Sequence, residues 1–212
     1  MSAVSAPGKT RVGPMKNVVL VDSGGANIGS VRYALQRLGV DAALTGDGDA
    51  IRRADRVILP GVGAAAAAMR RLHELDLVAT LRSLDRPLLG ICLGMQLLFE
   101  ASDEGDVECL GLLQGRVRRL PSMPGIRIPH MGWNRLAKRR ETHLLDGIAG
   151  GSQAYFVHGF AADDSGDTVA SCEHGARFAA VVQRGHVAGA QFHPERSGPV
   201  GLRLLANFLG LA

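Results

Sequence analysis

Four short apolar runs in the first hundred residues, each leading into a segment of helical spacing, constrain this chain more than any other feature. NVVLVD (17–22), rich in branched residues, predicts a buried strand closed by the turn Ser23-Gly24-Gly25. Ile28, Val31, Leu35 and Leu38 then recur at helical spacing until Gly39. DAALT (41–45) and RVILP (56–60) predict a second and a third strand. Gly61-Val62-Gly63 opens an alanine-rich helix, and a further helix is expected over 77–84. PLLGIC (87–92) predicts a fourth strand, and GMQLLFE after it reads as an amphipathic helix. Such alternation predicts an α/β fold whose mostly parallel sheet carries helices on both faces.

Beyond about residue 112 the pattern changes. GRVRRL, RIPHMGWN, AYFVHGF, TVASCEH, RFAAVVQ and HVAGAQF are short strand-like runs divided by turn residues. Antiparallel additions to the sheet are the simplest reading. A last helix is expected from Pro199, well placed for a first helical turn, with Val200, Leu204, Leu205 and Phe208 facing inward. No repeat or linker divides the chain. Its 212 residues suit one domain over 15–212, preceded by a loose, small and polar extension over 1–14.

With 46% hydrophobic and 21% charged residues the chain can bury a core, which argues against disorder. A net charge of +4 first suggests a nucleic-acid partner. Acids and bases are interspersed, however, and only 4% of residues are aromatic, so the basic runs RVRR and RLAKRR read as a solvated face or a docking rim. No nucleic-acid partner is expected. The start lacks the apolar core of a signal peptide, and no apolar run nears the ~20 residues of a membrane helix. Cys92, Cys109 and Cys172 are odd in number, widely spaced and without a C-x-x-C pair. That excludes a disulfide framework and a zinc site and fits a cytoplasmic, reducing setting.

Two stretches imitate phosphate loops. Gly8-Lys9-Thr10 resembles the end of a Walker A loop, but no strand precedes it and the first glycine would fall at Ala3. Gly61-Val62-Gly63 with Ala66 fits G-x-G-x-x-A in the right strand-to-helix context, yet follows the third strand and not the first. A turn of backbone N–H groups aimed at a developing oxyanion fits it as well.

Cys92 has a more particular setting. Buried cysteine is common, but Gly90-Ile91-Cys92-Leu93-Gly94 has the form of a nucleophile elbow, G-x-nucleophile-x-G. A Cβ at either glycine would clash in so tight a turn. The elbow lifts the sulfur to a helix N-terminus, where the dipole favours thiolate, and aims the Leu93 N–H at a carbonyl under attack. Such a thiolate needs a base. His73, His143, His174 and His186 lie in polar surroundings and read as surface residues, while His130 and His158 sit in apolar strands as satisfied core positions. None has metal-ligand spacing, and no metal or cofactor is expected. His193, in AGAQFHPERSG, ends an apolar run. Glu195 follows on the same side of an extended chain, with Pro194 restricting both. Alone, His-Pro-Glu would read as a turn. Beside the cysteine elbow it reads as a base and the carboxylate that orients it.

Together, GICLGMQLLFE and QFHPERSG resemble the class I glutamine amidotransferases. The resemblance implies their flavodoxin-like fold and a triad of Cys92, His193 and Glu195. It also implies a substrate-holding role for Gln96 and an oxyanion loop at PGVG (60–63), formed by Gly61, Val62 and Gly63 with Leu93 as second donor. PHMGWN (129–134), YFVH (155–158), PGVGA and HPERSG narrow this to the glutaminase subunits of imidazole glycerol phosphate synthase, over roughly residues 16–210. Such a subunit is expected to release ammonia from glutamine and pass it to a (β/α)8-barrel cyclase in a heterodimer of histidine biosynthesis. That cyclase makes imidazole glycerol phosphate and an aminoimidazole-carboxamide ribotide. Asn27, Trp133 and Arg196 match partner-facing positions. Ser23, Ala26, Gly159 and Phe160 depart from the family pattern, at positions expected to border the interface or channel mouth. A glutaminase serving another synthase, and a free-standing γ-glutamyl hydrolase, are the alternatives that share the triad.

Overall fold

The computed structural model describes residues 17–24 and 28–211. The first half runs β1 (Val18–Val21), α1 (Ile28–Arg37), β2 (Ala43–Thr45), α2 (Gly48–Arg53), β3 (Arg56–Gly61), α3 (Ala65–Glu74), α4 (Leu77–Arg82), β4 (Leu88–Cys92) and α5 (Leu93–Gln96). The second half adds β5 (Ala101–Ser102), β6 (Val107–Glu108), β7 (Arg116–Arg119), β8 (His130–Arg135), β9 (Ala137–Lys138), β10 (Gln153–His158), β11 (Phe160–Ala162), β12 (Thr168–His174), β13 (Ala176–Arg184), β14 (Val187–Ala190) and α6 (Gly198–Leu209).

One eight-stranded sheet joins the two halves in the order β2-β1-β3-β4-β14-β13-β12-β9. Its first five strands are parallel, and β13, β12 and β9 continue it antiparallel. Strand alternation explains why both faces are dry. Val18, Leu20, Ile58, Leu89 and Ile91 point into one core with α1 and α6. Val19, Val21, Val57, Leu59 and Leu88 point into the other, with α2, α3 and α4.

The expected strands and helices of the first half are all present, with three differences in the chain as a whole. The helix α2 was not foreseen, because its six residues lie in the turn-like GDGDAIRR. Asp47 starts it by accepting a hydrogen bond from the Asp49 N–H at 2.8 Å.

The helix expected through GMQLLFE is a single turn, and residues 91–99 are buried on every side, so no amphipathic face exists. After that turn the chain tightens, Leu98 and Phe99 N–H bonding to the Met95 and Gln96 carbonyls, and the N–H groups of 109–113 pair with the carbonyls of Leu97, Leu98, Phe99 and Glu100.

The late strands are not all antiparallel additions. Strand β14 lies in the sheet centre, parallel to β4 and buried throughout. Strands β8 and β10 form a separate antiparallel pair, and β11-β7-β5-β6 form a small sheet in which β5 and β7 are parallel. The carboxyl ends of β3, β4 and β14 therefore stand side by side, the usual position for chemistry in an open parallel sheet.

Candidate active site

Cys92 ends β4 and opens α5 with φ 53° and ψ −111°, one of three non-glycine residues with positive φ among those described. A cysteine in such a conformation is strained, and the neighbouring glycines hold it there. A Cβ on Gly94 would lie 1.8 Å from the Leu59 carbonyl oxygen, and one on Gly90 would lie 2.5 Å from the Gly94 oxygen. One on Gly61, which registers opposite Cys92, would lie 2.8 Å from the Gly94 nitrogen. The elbow is thus a three-glycine contact between β3 and the β4–α5 turn.

Beyond β14 the chain delivers His193 and the short turn Pro194–Arg196. The His193 backbone N–H donates to the Tyr155 carbonyl at 3.0 Å, and the Ser197 hydroxyl donates to the His193 carbonyl at 2.7 Å. Helix α6 closes from behind, where a Cβ on Gly201 would meet the Pro194 oxygen at 1.8 Å. His193 Nδ1 lies 2.8 Å from Glu195 Oε1, with both side chains buried. The carboxylate therefore accepts a hydrogen bond from Nδ1–H and turns Nε2 to the cysteine side. Burial opposes a charge on His193, but the hydrogen bonds to Cys92 and Glu195 outweigh it and raise its pKa to about 10. Burial instead pushes the thiols of Cys109 and Cys172 up to about 11, so neither has the makings of a nucleophile.

A cavity of about 190 Å³ opens over the sulfur, bounded by Val62, Gly63, Leu93, Gln96 and Glu104 on one side and by Val157, His158, Gly159 and Phe160 on the other. The structure thus brings together Cys92, His193 and Glu195, the turn expected to hold an oxyanion, and Gln96. Gly63 has φ +101° with open space around it. Gln96 Nε2 donates to the Phe160 carbonyl at 2.8 Å and to Gln191 Oε1 at 3.1 Å, which leaves its carbonyl oxygen as the group to meet a ligand.

Sequence reasoning missed three residues here. Glu104 lines the cavity and also accepts from the Ala65 N–H at 3.0 Å, capping α3 just after the oxyanion loop. No local pattern in ASDEGD announces it. Gln191 was legible in principle, since it stands two residues before His193 on the same side of an extended chain. His158, read only as a core residue, is also part of the cavity wall.

His158 belongs to a directional chain. Its Nδ1 lies 2.8 Å from the Phe160 carbonyl and must donate, so its Nε2 accepts from His130 Nδ1 at 3.1 Å. His130 Nε2 in turn accepts from the Asn134 amide at 3.3 Å. Each histidine is satisfied only when neutral. Burial lowers His158 to about 4 and His130 to about 3, both helped by neighbouring histidines. His174 departs from the surface setting expected of it, because it is half-buried and stacks on His130 at 4.0 Å.

Two of the three expected partner-facing residues meet on one surface. Trp133 is 54% exposed and packs edge-on to Tyr155, over which the Arg196 guanidinium sits 4.8 Å from the ring centre. Met131, 63% exposed, lies on the same strand. Asn27 and Ala26 fall outside the described residues. Ser23 is not at an open interface. It is buried, and its hydroxyl donates to the Pro60 carbonyl at 2.6 Å, tying the first turn to the oxyanion loop. Gly159 and Phe160 belong to the cavity wall. Among the described residues no helix is long and apolar enough to cross a membrane.

A family model described as glutamine amidotransferase class-I matches residues 19–211. Solved structures agree in fold. A glutamine amidotransferase crystal structure superposes with a TM-score of 0.71 at 23% identity, over 92% of this chain and 98% of that one. The structure of PurLQS from Thermotoga maritima does so with 0.68 at 24%, over 92% and 99%. Fold and family model together define a class I glutamine amidotransferase. Imidazole glycerol phosphate synthase subunit HisH of Xanthomonas axonopodis pv. citri (strain 306) is 61% identical over 93% of this chain and 99% of its own length. The subunit of that name from Xylella fastidiosa (strain Temecula1 / ATCC 700964) is 58% identical over 92% and 98%. The chain belongs to the HisH family of imidazole glycerol phosphate synthase subunits.

Proposed function

We propose that this chain hydrolyses glutamine through a glutamyl thioester on Cys92 and passes the ammonia to a cyclase subunit docked on its Trp133–Arg196 face. The observation that carries this is the His193–Glu195 pair, 2.8 Å apart and buried, beside a cysteine held at positive φ beneath a cavity. With His193 raised to about 10, its imidazolium is the resting form at neutral pH and stands ready as a proton donor. The Cys92 thiolate attacks the side-chain carboxamide carbon of glutamine. N–H groups of the Gly61–Val62–Gly63 turn and of Leu93 receive the oxyanion, each worth about 10²–10³ in rate.

His193 Nε2 then gives its proton to the leaving ammonia, the C–N bond breaks, and a thioester remains. The neutral imidazole next takes a proton from water, whose oxygen attacks the thioester and releases glutamate and the Cys92 thiolate. Gln96 Oε1 and the Glu104 carboxylate supply acceptors suited to the substrate's α-ammonium. No metal or organic cofactor is required, because a carboxamide is electrophilic enough once its oxyanion is held. The three free thiols fit a reducing, cytoplasmic setting.

The open space around Gly63 lets its peptide turn, so the oxyanion hole is completed when the partner engages. The test is glutamate release by the chain alone, with the cyclase subunit, and with cyclase plus its nucleotide ligand, using Cys92→Ala as the blank. A low rate that rises steeply with partner and ligand is expected. A full rate in the isolated chain would contradict the gated hole and favour a free-standing hydrolase.

A further inference from the structure

Gln191 is wholly buried one residue past β14 and lies next to the nucleophile, a position no role yet explains. A buried amide is costly unless its hydrogen-bonding groups are used. Gln191 Oε1 accepts from Gln96 Nε2 at 3.1 Å, and its Nε2 lies 3.9 Å from the Cys92 sulfur. Its backbone N–H donates to the Ala180 carbonyl at 2.9 Å, so the side chain departs from a fixed strand. Strand alternation sends Gln191 and His193 to the same side, so one segment brings both a base and an amide donor to one sulfur.

Cys92 has a second polar neighbour, the Val157 carbonyl, 3.8 Å from the sulfur. As a thiol, Cys92 donates to that oxygen. As a thiolate it is repelled by it, and the N–H of Gln191 becomes its attractive neutral contact. An N–H bond to an ionised acceptor is roughly twice as strong as one to a neutral acceptor.

We propose that Gln191 is a positioning residue for the nucleophile: its amide N–H stabilises the Cys92 thiolate while its amide oxygen fixes the carboxamide of Gln96 in the cavity wall. A purely structural glutamine would satisfy Gln96 without bearing on the sulfur, and the two roles differ in their dependence on pH. The inference rests on Cys92 being the nucleophile.

The test is the rate of alkylation of Cys92 by iodoacetamide in the full chain as a function of pH, with the labelled peptide identified by mass spectrometry. Gln191→Leu removes the donor, and Gln191→Glu keeps the shape but sets a carboxyl group beside the sulfur. Loss of one charge-assisted bond moves the midpoint of the profile up by about one pH unit and slows labelling by up to about tenfold on the acid side of the midpoint. The plateau at high pH is expected to stay unchanged, and Gln191→Glu to shift the midpoint further. Should Gln191→Leu fail to fold, Gln191→Met, which also lacks the donor and brings no charge, carries the test. Profiles that superimpose on the unsubstituted chain overturn the proposal. Glutamine hydrolysis that persists in Cys92→Ala would instead overturn the nucleophile assignment, and the proposal would fall with it.

Discussion

The two walls of the cavity are built on different principles. The wall formed by the ends of β3, β4 and β14 is fixed by backbone contact: Gly61, Gly90 and Gly94 leave no room for a Cβ, and Gly201 presses α6 onto the His193 turn. The opposite wall, 157–160 with the β8–β10 pair behind it, is held by hydrogen bonds among neutral histidines and carries Met131 and Trp133 on an open surface. At Gly159, in that second wall, a Cβ would meet nothing within 4 Å. The elbow that holds Cys92 is thus set by steric fit and the His193 turn by hydrogen bonds as well, whereas the wall that leads to the proposed docking face has room for a Cβ at Gly159.

The largest expected effect concerns the rigid wall. Cys92→Ala should lower glutamine hydrolysis by about 10⁴-fold or more in the assembled enzyme, as loss of a nucleophile does elsewhere. A steady-state assay of glutamate release checks it, and comparable activity would remove the chemistry from this wall. Next comes the same small substitution placed on each wall. Gly94→Ala should destabilise the chain by about 3 kcal/mol or more, because a backbone oxygen cannot yield by 1–2 Å. Gly159→Ala should change stability by no more than about 0.5 kcal/mol. Denaturant midpoints decide it, and equal effects would erase the contrast between the walls.

Smaller effects sharpen the comparison on the open side. Trp133→Ala should weaken cyclase binding about 10–30-fold, as truncating an aromatic anchor does, while leaving the unfolding midpoint of the chain alone nearly unchanged. Titration calorimetry against the cyclase reads it, and unaltered affinity would place the docking face elsewhere. The smallest effect at neutral pH is an acid limb in stability. His130 and His158 have folded-state pKa values of about 3 and about 4, below the unfolded value of about 6.5. Their contribution is therefore fully present above that value and is lost as pH falls through about 4 and about 3. His158→Gln, which keeps a donor and an acceptor, should flatten part of this limb in thermal melts between pH 7 and pH 4. An unchanged limb would mean the two histidines do not set it.

Much of this was legible in the sequence because its causes are local. A strand shows in NVVLVD, and an elbow shows in Gly-x-Cys-x-Gly because a tight turn admits no other residue there. His193 and Glu195 were readable because two-residue spacing on an extended chain gives one face. The illegible parts depend on distant partners. The helix after Cys92 is one turn, and the stretch after it is buried under residues 109–113, which bond to the carbonyls of 97–100. HVAGAQF became a central parallel strand because Gly189 admits Met95 from α5, where a Cβ would come within 2.6 Å. Glu104 reaches the cavity by capping a helix 39 residues earlier. Ser23, a departure from the family's first turn, proved to be a buried tie to Pro60.

The rigid wall is expected to form one covalent intermediate, on Cys92. Its most direct measurement is mass spectrometry of the full chain, acid-quenched while it turns over glutamine with its cyclase subunit and nucleotide ligand. A glutamyl group is expected on the peptide that contains Cys92 and is expected to be absent from Cys92→Ala. A glutamyl group on another residue, or turnover that persists in Cys92→Ala, would contradict it.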